Sequence, residues 1–380
     1  MPPVVINLQS AEDPRDVVHR AVQALAEGKL VAFPTETTYV LAASALSETA
    51  VKRLQIARGA AEPVTLAIKS ADDALDYVPE LSPLARRLTR RCWPGPVTLM
   101  LPDEHPDSVV KQLPLSVQEA ILDHGHLRLR VPAHPLVLSV LRLFAGPLAM
   151  TSAATAEQAE SVTAQEVLQA LGDKVDMVLD DGRSKFGQPA SVVKIDGRKL
   201  EVLQTGVLAA TTLRRLADLM VLVVCTGNTC RSPMAEVLLK KQLAAKLNCT
   251  LDDLEGRGVI IMSAGIAAMA GGRAAAEAIT AMSERGLELG KHESQPLTER
   301  LVRYADLVLA MTRGHREAIL AQWPDAAGRV ELVSRERTDI ADPIGGPAEL
   351  YRRCADQIEA HLAKWVDDLD LDSIAEPEPK

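Results

Sequence analysis

The stretch VLVVCTGNTCRSPMAE, residues 221–236, constrains this chain more than any other. Four apolar residues run into Cys225, and six positions later Arg231 is followed by Ser-Pro and by helix-favouring residues. The pattern predicts a buried strand, a tight loop and a helix in direct succession. Gly227 permits the tight turn, and the loop's backbone N–H groups can then point inward. Ser232 is placed to cap the helix, and Pro233 suits its first turn. A loop that opens onto a helix N-terminus favours anions, and the same field favours a thiolate over a thiol. Arg231 adds a planar fork that grips two phosphate oxygens. Together these parts make a phosphate cradle with a nucleophile at its base. A cysteine and an arginine at this spacing are common by chance, so the flanking strand and helix carry the inference.

The strand also marks a boundary. A chain of 380 residues points to two domains. Aromatic residues make up only 3%, so both cores must be built from aliphatic side chains. A net charge of −9 excludes a mainly nucleic-acid-binding surface while allowing a local basic patch. Five cysteines are too few, and odd in number, for a disulfide framework, which indicates a reducing compartment. MPPVVINLQSAEDP lacks the basic and apolar regions of a signal peptide, and no apolar run is long enough for a bilayer. These features read as a cytoplasmic protein.

Residues 1–212 form the first expected domain. VVINL and KLVAFPT read as short buried strands, with a helix between them over DPRDVVHRAVQALAEGK that ends near Gly28. VTLAIKS, VTLMLP, LRLRVP, GPLAMTS, VDMVLDDG and ASVVKID are further strand-like runs, with PLARRLTRRCW and HPLVLSVLRLF as helices among them. That is a mixed α/β pattern. Residues 213–218 are expected as a connector. Residues 219–368 alternate strands near 220–224, 259–263, 306–311 and 329–333 with helices, the pattern of a parallel sheet covered on both faces. The acidic tail, 369–380, is expected to be disordered.

Phosphoryl transfer through cysteine also needs a general acid for the leaving group. Asp342, in TDIADPIGG, is the best candidate and Asp339 its rival. CTGNTCRSPMAE, SAG at 263–265, ADLVLAMTRGH at 305–315 and DPIGG at 342–346 together resemble the low-molecular-weight protein tyrosine phosphatase family. That resemblance implies a flavodoxin-like, four-stranded parallel sheet. It implies Cys225 as nucleophile, Arg231 as phosphoryl ligand, and Asp342 as acid and then base. It also implies Ser232 stabilising the thiolate and Asn228 shaping a loop that includes Thr226, Gly227, Thr229 and Cys230, with no metal. Thr229 stands where tyrosine-specific members carry a bulkier aliphatic residue. Ile344 and Gly345 stand where those members carry an aromatic pair. CTGNTCRS thus resembles the protein-arginine phosphatase branch, although that branch usually has phenylalanine at the position of Ile344. Cys230 is either a redox partner for Cys225 or a small buried residue.

In the first domain, FPTETTYVLAASAL, CWPGPVTLML, LRLRVPAHP, PLAMTSAA and GQPASVVKIDG resemble the YrdC/Sua5/YciO family. That family makes threonylcarbamoyl-adenylate from ATP, threonine and bicarbonate, with possible Mg, for tRNA modification. The resemblance implies a twisted, largely mixed sheet with a concave nucleotide-binding face. Thr35, Thr37, Arg58, Arg130, Thr151, Ser152 and Ser191 match its ligand-binding positions. Five motifs depart. Val40 replaces a glycine, Ile56 a lysine and Gln204 an arginine, Ala154 ends the Thr-Ser-Ala-Asn motif, and Ser-Thr-Val-Val is Ala190-Ser191-Val192-Val193. Losing two cations from a triphosphate site implies lost or altered synthase chemistry. The alternatives are a bifunctional enzyme with an active synthase, or a binding module for nucleotide, tRNA or protein. Arg86, Arg87, Arg90 and Arg91 could meet double-stranded RNA, but read as a solvated basic face. His124 and His126 read as a polar turn rather than metal ligands. A phosphorylated protein is the expected substrate of the second domain.

Overall fold

The structure is a computed structural model that describes residues 2–59 and 64–376. The chain divides into two compact units, Met1–Leu216 and Ala217–Lys380.

One mixed sheet runs through the first unit. In spatial order its strands are Val4–Asn7, Met177–Asp180, Val31–Phe33, Val40–Ser44, Leu148–Ser152, Thr65–Ala67, His126–Arg130, Val97–Pro102, Ser191–Asp196 and Lys199–Gln204. The short strand Leu122–Asp123 pairs with His126–Arg130. The central strands Val31–Phe33 and Val40–Ser44 are buried at every position, so their sequences run apolar without alternation. Helix Pro14–Ala26 begins where the Asp13 side chain accepts from the Arg15 N–H and Pro14 takes the first position. Its Val17, Val18, Ala21, Ala24 and Leu25 pack with helix Pro135–Leu143 over one sheet face. Each such large side chain contributes about 1.5–3 kcal/mol of burial.

Two expectations for this unit change. Val4–Asn7 is an edge strand with only Ile6 buried, because it pairs on one side alone. On the arginine helix, Pro83–Cys92, Arg86 is exposed and Arg90 partly so, but the other two arginines are not on a solvated face. Arg87 and Arg91 share its inward stripe and are buried, and the Arg91 Nη1 donates to the Leu216 carbonyl at 2.7 Å. His124 and Gly125 take positive φ in the turn between two antiparallel strands, and the His124 ring contacts Asp123 at 2.7 Å. Among the described residues, no group of three or more His, Cys, Asp or Glu side chains is placed to hold a metal ion.

The stretch expected as a connector lies in a helix, Ala210–Ala217, with Leu213 buried. Residues 369–376 of the acidic tail are packed rather than disordered. Leu371–Ser373 forms a 3-10 turn, while Leu369, Leu371 and Ile374 dock on the second unit's core. Its apolar residues, spaced among the acids, explain the docking. Residues 377–380 lie outside the described residues. No helix among the described residues is long and apolar enough to cross a membrane.

The second unit holds a parallel sheet in the order Val259–Gly265, Leu219–Cys225, Leu307–Ala310, Val330–Leu332. Its first strand in sequence thus lies between its second and third, the flavodoxin-like winding. Helices Arg231–Lys246 and Ala348–Asp368 cover one face. Helices Glu299–Tyr304 and Arg313–Gln322 supply Val302 and Ile319 to the other. A crevice forms where such winding reverses, at the carboxyl end of the first strand. Cys225 is the last residue of that strand, opposite Gly265 in the neighbouring one.

Candidate active site

Cys225 is buried, and two groups meet its sulfur. The Asn228 backbone N–H donates to Sγ at 3.3 Å, and the Ser232 Oγ lies 2.9 Å away. The helix begins at Arg231, so Ser232 is its second residue and not the cap expected from sequence. The Ser232 hydroxyl turns back to the thiol instead. The left-handed residue in the loop is Asn228, with φ 53°, and not Gly227. The close approach is instead made by Gly265. A Cβ there would stand 2.5 Å from the Thr226 carbonyl oxygen and 2.9 Å from the Asn228 nitrogen.

The hydrogen bonds around the loop have one consistent direction. The Gln295 N–H donates to Asn228 Oδ1 at 2.9 Å, which orients the amide. Asn228 Nδ2 then donates to Ser232 Oγ and to Ser263 Oγ, each at 2.9 Å. Ser263 donates onward to the Glu236 carboxylate at 2.7 Å. Ser232 therefore receives from Asn228, and its own proton can go to Cys225 or to the Ala264 carbonyl, 3.4 Å away. The His292 Nε2 donates to the Asn228 carbonyl at 2.8 Å and braces the turn. Ser263, Glu236, His292, Gln295 and Gly265 were not singled out by side-chain chemistry. The SAG motif was the signal available for two of them.

Arg231 is buried and held at two points. Its Nη1 donates to the Ile340 carbonyl at 3.0 Å, and its Nη2 pairs with Asp342 Oδ2 and reaches Thr226 Oγ1 at 3.4 Å. Its Nε is buried with no protein partner among the described residues. Asp342 is partly exposed, and its Oδ1 accepts from the Ile344 N–H at 3.2 Å. The rival, Asp339, is engaged by Arg313. The Arg313 backbone N–H donates to it at 2.9 Å and holds its carboxyl below the ordinary value. Behind the loop, His315 is buried between Thr226 and Thr312, each hydroxyl 2.9 Å from a ring nitrogen. Burial, and then the Arg231 charge, lower its pKa. Thr229 is partly buried, and its hydroxyl lies 3.7 Å from Cys230 Sγ. Cys230 in turn lies 3.6 Å from the Tyr351 hydroxyl.

The first unit brings Arg58, Arg130, Thr151 and Ser152 to one cleft of about 120 Å³. Val40 and Gln204 line it too, as do Arg128 and Glu160. Thr35, Thr37 and Ser191 are not on that lining. Thr35 donates to the Thr38 carbonyl at 2.6 Å. Ser191 donates to the Leu208 carbonyl and receives the Gly206 and Leu208 N–H groups. Thr37 accepts from Arg130 at 3.0 Å. Arg130 itself is paired with buried Glu36 at 2.7 Å. Ser152 donates to Glu160 at 2.6 Å. Ile56 is 73% exposed, so no cation is supplied from its position.

Two family models match the chain. The Sua5/YciO/YrdC model, described as "Telomere recombination", covers residues 23–206. The model described as "Low molecular weight phosphotyrosine protein phosphatase" covers residues 220–375. A protein-arginine-phosphatase of Bacillus subtilis is 38% identical over 156 residues, which is 40% of this chain and 97% of that protein. A putative threonylcarbamoyl-AMP synthase of Mycobacterium tuberculosis is 34% identical over 189 residues, 49% of this chain and 82% of that protein. A solved structure of Pyrococcus abyssi Sua5 shares the fold at a TM-score of 0.50 and 24% identity, covering 69% of this chain and 91% of that one.

Proposed function

From a chain that belongs to the Sua5/YciO/YrdC family over residues 23–206 and to the low-molecular-weight phosphotyrosine protein phosphatase family over residues 220–375, we propose a cysteine-dependent protein phosphatase joined to a first unit that has lost synthase chemistry. The observation that carries the first half is the convergence on Cys225. Two donors meet its sulfur, while Arg231 stands beside it with an unpartnered Nε and with Asp342 at its tip.

In this reading the Cys225 thiolate attacks the phosphorus of the substrate. A P–S bond forms as the bond to the leaving group breaks, and Asp342 delivers a proton to the departing atom. Water then attacks the phosphocysteine. The Asp342 carboxylate takes its proton, phosphate departs, and Cys225 returns as thiolate. The Asn228 N–H and the Ser232 hydroxyl hold the sulfur's charge, and Arg231 holds the phosphoryl oxygens. No metal or cofactor enters these steps. Cys230 serves as a reserve thiol that closes a disulfide on oxidised Cys225. Mass spectrometry after mild peroxide tests this, and a Cys225 oxidised beyond recovery with Cys230 still free argues against it.

Phosphoarginine is the proposed substrate, because Thr229 makes one pocket wall small and partly polar, and Ile344 and Gly345 leave no aromatic pair for a phenyl ring. The test is phosphate release by the whole chain from peptides carrying phosphoarginine, phosphotyrosine or phosphoserine. The expected order is that one. Preference for phosphotyrosine would make the protein a tyrosine phosphatase, and no release from any of the three would remove the phosphatase reading.

For the first unit, the supporting observation is the cleft's wiring. Arg130 is tied to Glu36, Glu160 adds negative charge, and Val40 and Gln204 stand at ligand positions. A triphosphate needs unmatched cations there. Threonine- and bicarbonate-dependent pyrophosphate release from ATP should be at background. Robust release would make the protein bifunctional.

A further inference from the structure

The first unit has a second cavity, of about 460 Å³, that none of the matched ligand positions except Thr35 touches. It is separated from the cleft by an ion pair, since Glu36 lines this cavity and its partner Arg130 lines the cleft. We propose that this cavity binds a nucleoside monophosphate.

The volume lies within the range of small-molecule sites. Its walls are flat and apolar. Pro34, Pro94, Pro96 and Phe186 line it, and Phe186 remains 42% exposed although its ring would gain from burial. Such faces suit a planar ring. The charged lining is unbalanced in favour of an anion. Of the two lining carboxylates, Glu36 is neutralised by a cation and Asp181 is hydrogen-bonded but keeps its charge. Glu36 accepts from Arg130 and from the Ala133 N–H at 2.9 Å. Asp181 lies 3.1 Å from His134 Nε2. The His134 Nδ1 accepts the Leu136 N–H, so its Nε2 carries the proton that Asp181 receives. Arg183 and Lys185, on the same lining, have no carboxylate partner among the described residues, and Lys185 lies over the Phe186 ring at 5.4 Å. Beside them, Ser184 is 7% exposed, and its Oγ is buried with no hydrogen-bond partner among the described residues. A buried hydroxyl left unpaired is uncommon in native proteins, and a ligand oxygen or nitrogen would satisfy it. Flat apolar walls, two cations against the single uncompensated carboxylate of Asp181, and one orphaned hydroxyl together fit a base, a phosphate and a sugar.

The inference does not rest on the phosphatase reading. The test is calorimetry on the full chain with 5′-AMP, adenosine and inorganic phosphate as probes. AMP should bind, and adenosine and phosphate should each bind at least about tenfold more weakly, because each lacks one half of the recognition. The double variant Arg183→Ala/Lys185→Ala should weaken AMP about tenfold or more. Phe186→Ala should weaken it as well, and these exposed positions can change without disturbing the core. Arg58→Ala in the cleft and Arg231→Ala in the phosphate loop should leave AMP binding unchanged. No AMP binding, equal binding of adenosine, or a loss confined to Arg58→Ala or Arg231→Ala would each overturn the assignment.

Discussion

The phosphate loop of the second unit and the cleft of the first are both made from arginines and short polar side chains, yet their wiring differs. In the loop, Asn228, Ser263 and Glu236 pass hydrogen bonds in one direction, so that Ser232 receives from Asn228 and its hydroxyl faces Cys225 and the Ala264 carbonyl. Arg231 is gripped at one Nη by a carbonyl and at the other by Asp342, and keeps a buried Nε with no protein partner among the described residues. In the cleft the charges answer each other. Arg130 is bound to Glu36, Arg128 to Asp123, and Ser152 to Glu160. A site for a charged ligand must leave its own charge unmatched until the ligand arrives. Each site keeps part of this: Arg231 is paired with Asp342 yet has a buried Nε unpartnered among the described residues, as Arg128 has in the cleft, and the loop differs in setting a thiol beside its arginine.

The hardest break in that contrast is Cys225→Ser. It should lower aryl phosphate hydrolysis on the order of 10⁴-fold or more, as loss of a covalent nucleophile in a hydrolase typically does. An alcohol in that loop is not ionised at neutral pH. Substantial remaining turnover would end the cysteine mechanism. Asp342→Asn comes next. It should slow substrates with poor leaving groups by about 10²–10⁴-fold and those with good leaving groups far less. Equal slowing of the two classes would move the acid role elsewhere. Asp339 is then a poor substitute, because it is already engaged by Arg313.

How much of this was legible in the sequence follows from where each interaction is made. The phosphate loop is local, so strand, turn and helix could be read from sixteen consecutive residues. The partners that set its direction could not. Gln295 and His292 reach it across sequence separations that no period or motif encodes, and Glu236, although inside the motif, acts through Ser263, 27 residues away. The cap was misplaced by one pair of positions because Ser232 has a stronger claim on it from the thiol than from the helix end. The buried Arg87 and Arg91 were misread for a related reason. Spacing shows that two arginines share a face, but not whether that face meets water or main-chain carbonyls. In the first unit the lost lysine and arginine were visible, whereas the Glu36–Arg130 pair, 94 residues apart, was not.

A smaller effect sharpens the comparison at the loop itself. Thr229→Ile should raise the phosphotyrosine to phosphoarginine ratio in kcat/KM. One wall of a pocket is typically worth about 1–3 kcal/mol of discrimination, so the shift should be roughly tenfold or more. An unchanged ratio would show that Thr229 does not select the substrate.

The smallest expected effect is on stability and tests whether the loop's surroundings are as finely poised as its centre. His315 is buried against Thr226 and Thr312, and its pKa is lowered, first by burial and then by the Arg231 charge, with Asp342 and Asp339 opposing weakly. In the unfolded chain the ring titrates near its ordinary value of about 6.5. As pH falls below that value, the unfolded state takes the proton before the folded state does, and each such proton favours unfolding. The contribution of His315 is therefore fully present above about pH 6.5 and is lost as pH falls towards the lowered folded value. Urea denaturation of the full chain at pH 7.5, 6.5 and 5.5 should show stability declining on the acid side. His315→Gln, which keeps a hydrogen-bonding side chain but cannot titrate, should make that decline shallower. The parent's other titrating groups are common to both proteins, so the difference in slope isolates this one ring. Identical slopes would mean that His315 is as easily protonated in the fold as outside it, and that the wall behind Thr226 is open to water.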